Sequence, residues 1–291
     1  MIQLDDSTLL RDLLIPGTHD SGATEADVGF PWSNSVATQY WRIHEQLEHG
    51  IRYLDFRVAA NCIKVPLDGA PCSQDGLWLW HGDIPLINYK LIRIEDAFNQ
   101  VVTFLKRNPS ETILMRIKKE NNFGYGFDLV TALQEFIFEK GYQDFFVRPK
   151  DAKINTGIGK MRGKIFPWWD AENGDESDYG AKYSDLVDAP EHDLGKFDNL
   201  DQFEEFIRGK FEESKTVDVS KRFFHISASG HDSGIPNLAK FSDRSMNVLL
   251  SLVRDSGNYP KQGVISMDIK QDKTERADKI INLLIKKNLG L

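Results

Sequence analysis

Short apolar runs recur along this chain, and longer stretches with apolar residues at helical spacing lie between them. Ile51 to Val58, Leu77 to Trp80, Thr112 to Ile117, Gly163 to Phe166, Phe223 to Ile226 and Gly263 to Met267 read as buried strands. Arg93 to Arg107, Phe127 to Lys140, Asn199 to Glu213, Ser242 to Asp255 and Thr274 to Lys287 read as amphipathic helices. Strands that alternate with helices predict a largely parallel sheet with right-handed crossovers. No Gly/Ser or Pro linker divides the chain, and neither GxGxxG nor GxxxxGK[ST] follows a strand, which disfavours a doubly wound nucleotide-binding fold. The expected architecture is α/β, a single closed (β/α)8 barrel domain over 1–291, for which 291 residues is an ordinary length. Asp170 to Asp201 is acidic and poorly periodic, and reads as a surface excursion near the rim.

A parallel barrel carries the C-terminal ends of all its strands to one face. At those ends stand His19 and Asp20, Asp55 and Arg57, His81, Lys118 and Glu120, Asp170, and Asp268. His19 and Asp20 belong to Leu14-Ile-Pro-Gly-Thr-His-Asp-Ser-Gly22, where an apolar run is stopped by Pro16-Gly17. Thr18, Asp20 and Ser21 are also good capping residues, so a capped turn is the plainer alternative for this stretch.

Two histidines, an arginine and nearby carboxylates suit transfer at a phosphodiester. One imidazole takes a proton from the attacking hydroxyl, the other protonates the leaving oxygen, and the guanidinium holds the phosphoryl oxygens as their charge grows. A competing reading makes Asp20, Asp55 and Glu120 oxygen ligands of a metal ion. Against it, Arg57 and Lys118 are cations at the same rim. A third reading treats Asp55–Arg57 and Lys118–Glu120 as internal ion pairs. His44, His49, His192 and His225 have no comparable context, and His44 and His49 are expected to face solvent beside Glu45 and Glu48. His231-Asp-Ser-Gly234 repeats the first motif without the Pro-Gly turn and reads as a loop coincidence.

The formal net charge of −8 argues against broad nucleic-acid binding and against a polybasic membrane anchor. No run of 18 apolar residues is present, and MIQLDDSTLL lacks the pattern of a signal peptide, so secretion is expected only through a leader already removed. Cys62 and Cys72 flank a segment containing Pro66, Gly69 and Pro71. A loop-closing disulfide, and with it an exported chain, is expected over two free thiols.

Five blocks carry a resemblance: Ile15 to Gly22, Gly50-Ile-Arg-Tyr-Leu-Asp-Phe-Arg57, Trp80-His-Gly82, Phe104 to Ile113 with its Asn-Pro-Ser-Glu turn, and Ile117-Lys-Lys-Glu120. Their order and spacing resemble the X-domain of bacterial phosphatidylinositol-specific phospholipase C, and Gly263 to Asp268 extends the likeness. The resemblance implies a distorted barrel that cleaves phosphatidylinositol to diacylglycerol and inositol 1,2-cyclic phosphate. It implies His19 as general base, His81 as general acid, Asp268 as the carboxylate behind His19, Asp20 as the partner on the leaving-group side and Arg57 as the phosphate-stabilising arginine. Arg57 and Lys118 stand where calcium-dependent relatives carry acidic residues, so a metal-independent enzyme without cofactors is implied.

Lys118, Asp55, Asp170 and Tyr183 are the expected substrate contacts, with Tyr179 and Phe197 as further candidates for the aromatic residue that stacks on inositol. Family members commonly have an arginine after the Lys-Ile strand, where this chain has Ile165-Phe-Pro-Trp-Trp-Asp170. Trp168 and Trp169 are expected at the rim, entering the lipid interface. The expected partner is phosphatidylinositol in a membrane, met transiently by a monomeric chain, with no nucleic acid. Two rival readings are a barrel phosphodiesterase for another inositol ester and a non-catalytic lipid-binding barrel.

Overall fold

Eight strands form one parallel sheet in the computed structural model, which describes residues 1, 3–28, 33–60, 76–80, 92–120, 128–188, 196–218, 220–231, 237–254 and 262–291. The strands are β1 (Leu14–Thr18), β2 (Tyr53–Ala60), β3 (Leu77–Leu79), β4 (Thr112–Lys119), β5 (Lys164–Asp170), β6 (Ala181–Lys182), β7 (Val187–Asp188), β8 (Phe223–Ala228) and β9 (Gly263–Met267). The parallel order is β6-β5-β4-β2-β1-β9-β8-β7, and β3 adds an antiparallel strand to β2. The helices are α1 (Glu25–Val28), α2 (Ser33–Val36), α3 (Ile43–Glu48), α4 (Ile94–Arg107), α5 (Leu129–Glu139), α6 (Tyr183–Leu186), α7 (Leu200–Ser214), α8 (Leu238–Arg254) and α9 (Thr274–Asn288). The sheet curls as the expected barrel does, and its distortion has a location. Among the described residues nothing pairs β6 with β7, which are joined only by the single turn α6.

The period of two along each strand divides the core into two layers. Ile15, Tyr53, Leu114, Phe166, Trp168, Phe223 and Val264 form one apolar cluster, inside the curl of the sheet. Their chain neighbours Leu14, Leu54, Met115, Ile165, Trp169, Phe224 and Ile265 form the other, beneath the helices. In α4, Ile94, Ala97, Phe98, Val101, Val102 and Leu105 are buried at helical spacing, and Glu95, Asp96, Lys106 and Arg107 complement the helix dipole at its two ends. Each large side chain buried this way stabilises the fold by about 1.5–3 kcal/mol relative to exposure.

Trp168 and Trp169 are not at the rim. Both are fully buried, Trp168 against Phe166, Tyr53 and Phe223 inside the sheet, and Trp169 in the outer layer, where its indole N–H donates to the Tyr179 carbonyl at 2.6 Å. Alternate residues of β5 enter the two apolar layers, so the strand is buried on both faces. His44 and His49 are exposed as expected, His49 bonding Asp278 at 2.7 Å. Helix α8 begins four residues before the expected start at Ser242. His81, His192, Cys62, Cys72 and residues 232–236 lie outside the described residues.

Candidate active site

β1 ends at Thr18, and the next residues turn across the mouth of the sheet. Asp20 takes a φ of 40°, in the left-handed region that Asn and Asp tolerate best after glycine. Its N–H donates to Asp55 Oδ2 at 3.1 Å, and its carbonyl accepts from Thr38 Oγ1 at 2.8 Å. The Gln39 side-chain amide donates to the His19 carbonyl at 2.6 Å, and that of Gln46 to the Ser21 carbonyl at 2.9 Å. The turn's backbone acceptors are therefore met by buried amides, which fixes the direction in which His19 leaves the chain. Gly17 lets β1 approach β2, since a Cβ there would stand 2.7 Å from Tyr53 Cδ1.

His19 is 1% exposed. Its Nδ1 lies 2.9 Å from Asp268 Oδ1, just past the end of β9, and 3.0 Å from Ser229 Oγ, just past β8. Ser229 Oγ also donates to Asp268 Oδ2 at 2.7 Å. On the other side of the ring, Nε2 lies 2.7 Å from Arg57 Nη2. A guanidinium only donates, so Nε2 accepts and the imidazole proton sits on Nδ1, facing Asp268.

Arg57 is itself ringed by carboxylates. Its Nε is 3.3 Å from Asp55 Oδ2 and 4.0 Å from Asp20 Oδ2, and its Nη1 is 3.6 Å from Glu120 Oε1. Lys118 Nζ lies 3.7 Å from Glu120 Oε2. Burial pushes the Glu120 carboxyl above the usual glutamate range, against the pull of Arg57 and Lys118, and Asp20 and Asp55 push the same way. The three carboxylates considered as metal ligands thus surround a guanidinium, whose charge occupies the centre of their cluster.

Asp170, at the end of β5, is 35% exposed at its side chain and binds Arg116 through one oxygen, Oδ2, at 3.0 Å from Nε and 2.6 Å from Nη2. Asp170, Lys118, Lys119 and Lys182 line a cleft of about 430 Å3. Tyr183 is not presented to the mouth. Its ring lies under the Arg116 guanidinium at 4.7 Å and its hydroxyl meets His225 Nδ1 at 3.0 Å. Tyr179 and Phe197 are also buried, Tyr179 under Arg148 and Phe197 against Phe203.

The structure brings together His19, Asp20, Asp55, Arg57, Lys118 and Asp268 at the strand ends. Trp80 ends β3's hairpin with its N–H on the Arg57 carbonyl at 2.8 Å. Three residues escaped the sequence reading, and His225 was given no functional context there. Ser229 follows the Phe223 to Ile226 run and obeys the same strand-end rule as the others. Arg116 is two residues before Lys118 and therefore on the same face of its strand. Gln39 carries no sequence signal. His225 is a barrel-interior residue, bonded through Nε2 to Ser266 Oγ at 2.8 Å.

Comparison with known proteins adds an independent line. The chain is 36% identical over 169 residues to a 1-phosphatidylinositol phosphodiesterase of Listeria monocytogenes, a match covering 57% of this chain and 46% of that protein. It is 28% identical over 174 residues to a protein of the same name from Staphylococcus aureus, covering 57% and 48%. In structure it matches phosphatidylinositol-specific phospholipase C from L. monocytogenes with TM-score 0.70 at 24% identity, over 97% of this chain and 95% of that one. The chain is similar to bacterial phosphatidylinositol-specific phospholipases C, in sequence over about half its length and in fold over nearly all of it. A mutant of the S. aureus phospholipase C superposes with TM-score 0.76 at 17% identity, over 97% of this chain and 94% of that one, so the barrel is shared where sequence has diverged. In sequence the chain spans about half the length of the curated relatives it matches. No protein-family profile matches it.

Proposed function

We propose that this chain cleaves phosphatidylinositol by transferring the phosphoryl group to the inositol 2-hydroxyl. The observation that carries the proposal is the setting of His19: Nδ1 on Asp268, Nε2 an acceptor 2.7 Å from Arg57. When substrate enters, the guanidinium transfers its hydrogen bonds to the phosphoryl oxygens, and Nε2 takes the proton of the 2-hydroxyl as that oxygen attacks phosphorus. The bond from phosphorus to the diacylglycerol oxygen breaks. That oxygen takes a proton from His81, assigned from its place in Trp80-His-Gly82, with Asp20 assisting. The products are diacylglycerol and inositol 1,2-cyclic phosphate. Asp268 stabilises the imidazolium formed at His19, as a carboxylate does behind other catalytic histidines.

The reaction needs no divalent ion on this reading, because Arg57 and Lys118 supply positive charge among Asp20, Asp55 and Glu120. The chain meets its lipid as a monomer at a membrane surface, and among the described residues no helix is long and apolar enough to cross a membrane. Export is part of the proposal, supported by the spacing of Cys62 and Cys72. Phosphatidylinositol vesicles in excess EDTA test it: diacylglycerol release should persist, and His19→Ala and His81→Ala should each remove it. Release that stops with EDTA contradicts the metal-independent reading, and binding without release favours a lipid-binding barrel.

A further inference from the structure

The end of the barrel opposite His19 carries a cavity of its own. About 150 Å3 in volume, it lies where β1 begins, between that strand, the C-terminal end of α9 and residues 1, 3 and 4. Leu4, Leu13, Leu14, Ile285 and Leu289 give it an aliphatic lining, with no aromatic ring among the described residues. An apolar cavity of this size holds a molecule of about six carbons, as an engineered one holds benzene.

One wall is polar. Arg52 and Glu111 reach it from just before β2 and just before β4. Both oxygens of the buried Glu111 carboxylate are engaged, Oε2 by Arg52 Nε at 2.7 Å and Oε1 by the nitrogen of Met1. Arg52 Nη1 donates to the Leu47 and Ile51 carbonyls at 2.7 and 2.8 Å. Asn288 accepts from the Leu14 N–H at 2.8 Å and donates to the Leu14 carbonyl at 2.7 Å. Arg52 Nη2, by contrast, makes no hydrogen bond among the described residues. The carboxylate at this wall is spent, and a cationic donor is left. The end of α9 does not oppose an anion either. The Ile285, Lys286 and Lys287 carbonyls accept from the N–H groups of Leu289, Gly290 and Leu291, and Lys286 and Lys287 bring positive charge to that last turn.

We propose that this cavity is a binding site for a small aliphatic monocarboxylate, its chain among the leucines and its carboxylate on Arg52 Nη2. Guanidinium and carboxylate form the stronger, charge-assisted kind of hydrogen bond, and the closed aliphatic volume sets the length of chain that fits. The site stands apart from the strand ends that gather His19, Arg57 and Asp268, so it goes beyond the reaction proposed above and does not depend on it.

Isothermal titration calorimetry of the full chain tests it, with straight-chain carboxylates from butanoate to octanoate and 1-hexanol as the uncharged probe. Each methylene should tighten binding about fourfold up to hexanoate and add little beyond it, that factor being the worth of burying one methylene. Leu289→Trp, which fills the cavity from a half-buried position, should abolish binding of hexanoate and hexanol alike with the fold retained by circular dichroism. Arg52→Gln should weaken hexanoate about tenfold or more and leave hexanol within about twofold. Hexanoate binding that survives Leu289→Trp places the carboxylate elsewhere, Arg57 at the mouth included, and overturns the inference. So does the lack of saturable binding across the series, or a folded Arg52→Gln that weakens hexanol as much as hexanoate. Diacylglycerol release does not enter the readout, so a failure of the proposed reaction leaves this test intact.

Discussion

Arg57 Nη2 lies 2.7 Å from His19 Nε2, so the group that would carry phosphate charge holds the lone pair that would take the hydroxyl proton. The two are coupled before substrate arrives. With the guanidinium donating to it, Nε2 is an acceptor and the proton on Nδ1 faces Asp268, which is the tautomer a base needs. In the proposed reaction, substrate would compete for the guanidinium and free Nε2 as the hydroxyl arrives.

Asp268→Asn tests the far side of that imidazole. The carboxamide keeps the volume but removes the charge that orients and stabilises the ring, and a serine protease loses about ten-thousandfold in kcat for the equivalent change. A loss on the order of a thousandfold in kcat is expected here, with the fold retained by circular dichroism. A loss below tenfold would deny Asp268 its role.

Arg57→Lys keeps the charge and removes the planar fork. Because Nε and the two terminal nitrogens each face a different partner, a single ammonium cannot replace them. kcat should fall about a hundredfold or more, the scale of losing one charge-stabilising donor. Steady-state kinetics at saturating substrate separates this outcome from a change confined to KM.

Glu120 gives a prediction in pH. Its folded carboxyl titrates above the ordinary value of 4.5, so its contribution to stability is fully present below that value and is lost as pH rises through the raised one. Glu120→Gln has no such proton to lose. Urea unfolding of both proteins should show the variant gaining on the parent as pH rises from about 4 to neutrality. A difference that moves in the parent's favour contradicts the burial argument.

Gly17→Ala addresses the approach of β1 to β2. The added methyl would meet Tyr53 Cδ1 at 2.7 Å, and overpacking of this kind costs about 1–3 kcal/mol. The shift of the urea midpoint measures it, and an unchanged midpoint would mean the Tyr53 ring yields freely.

The barrel was legible because alternation of element types and period within each element are local patterns, and Tyr53, Leu54, Asp55 and Phe56 announce the two faces of β2 by themselves. The strand-end residues were legible for a topological reason: a parallel barrel gathers them whatever their distance along the chain, as His19 and Asp268 show. Trp168 and Trp169 were misplaced because an apolar run before a polar loop reads alike for a rim and for a core. What buries them is packing from distant elements, Tyr53 and Phe223 against Trp168 and the outer apolar layer around Trp169, which local periodicity does not show. Ser229 and His225 gain their roles from partners 39 and 42 residues away, Asp268 and Tyr183, on other elements. A hydroxyl or a lone imidazole carries no sign of such a partner.

The central claim is that His19 and Arg57 direct the inositol 2-hydroxyl onto phosphorus without a divalent ion. Phosphorus NMR of the products formed from phosphatidylinositol in excess EDTA tests it most directly. The account predicts that the resonance of a five-membered cyclic phosphate appears first, with any acyclic inositol phosphate growing only later at its expense. An acyclic monophosphate formed from the outset, or no product until a divalent cation is restored, would contradict it.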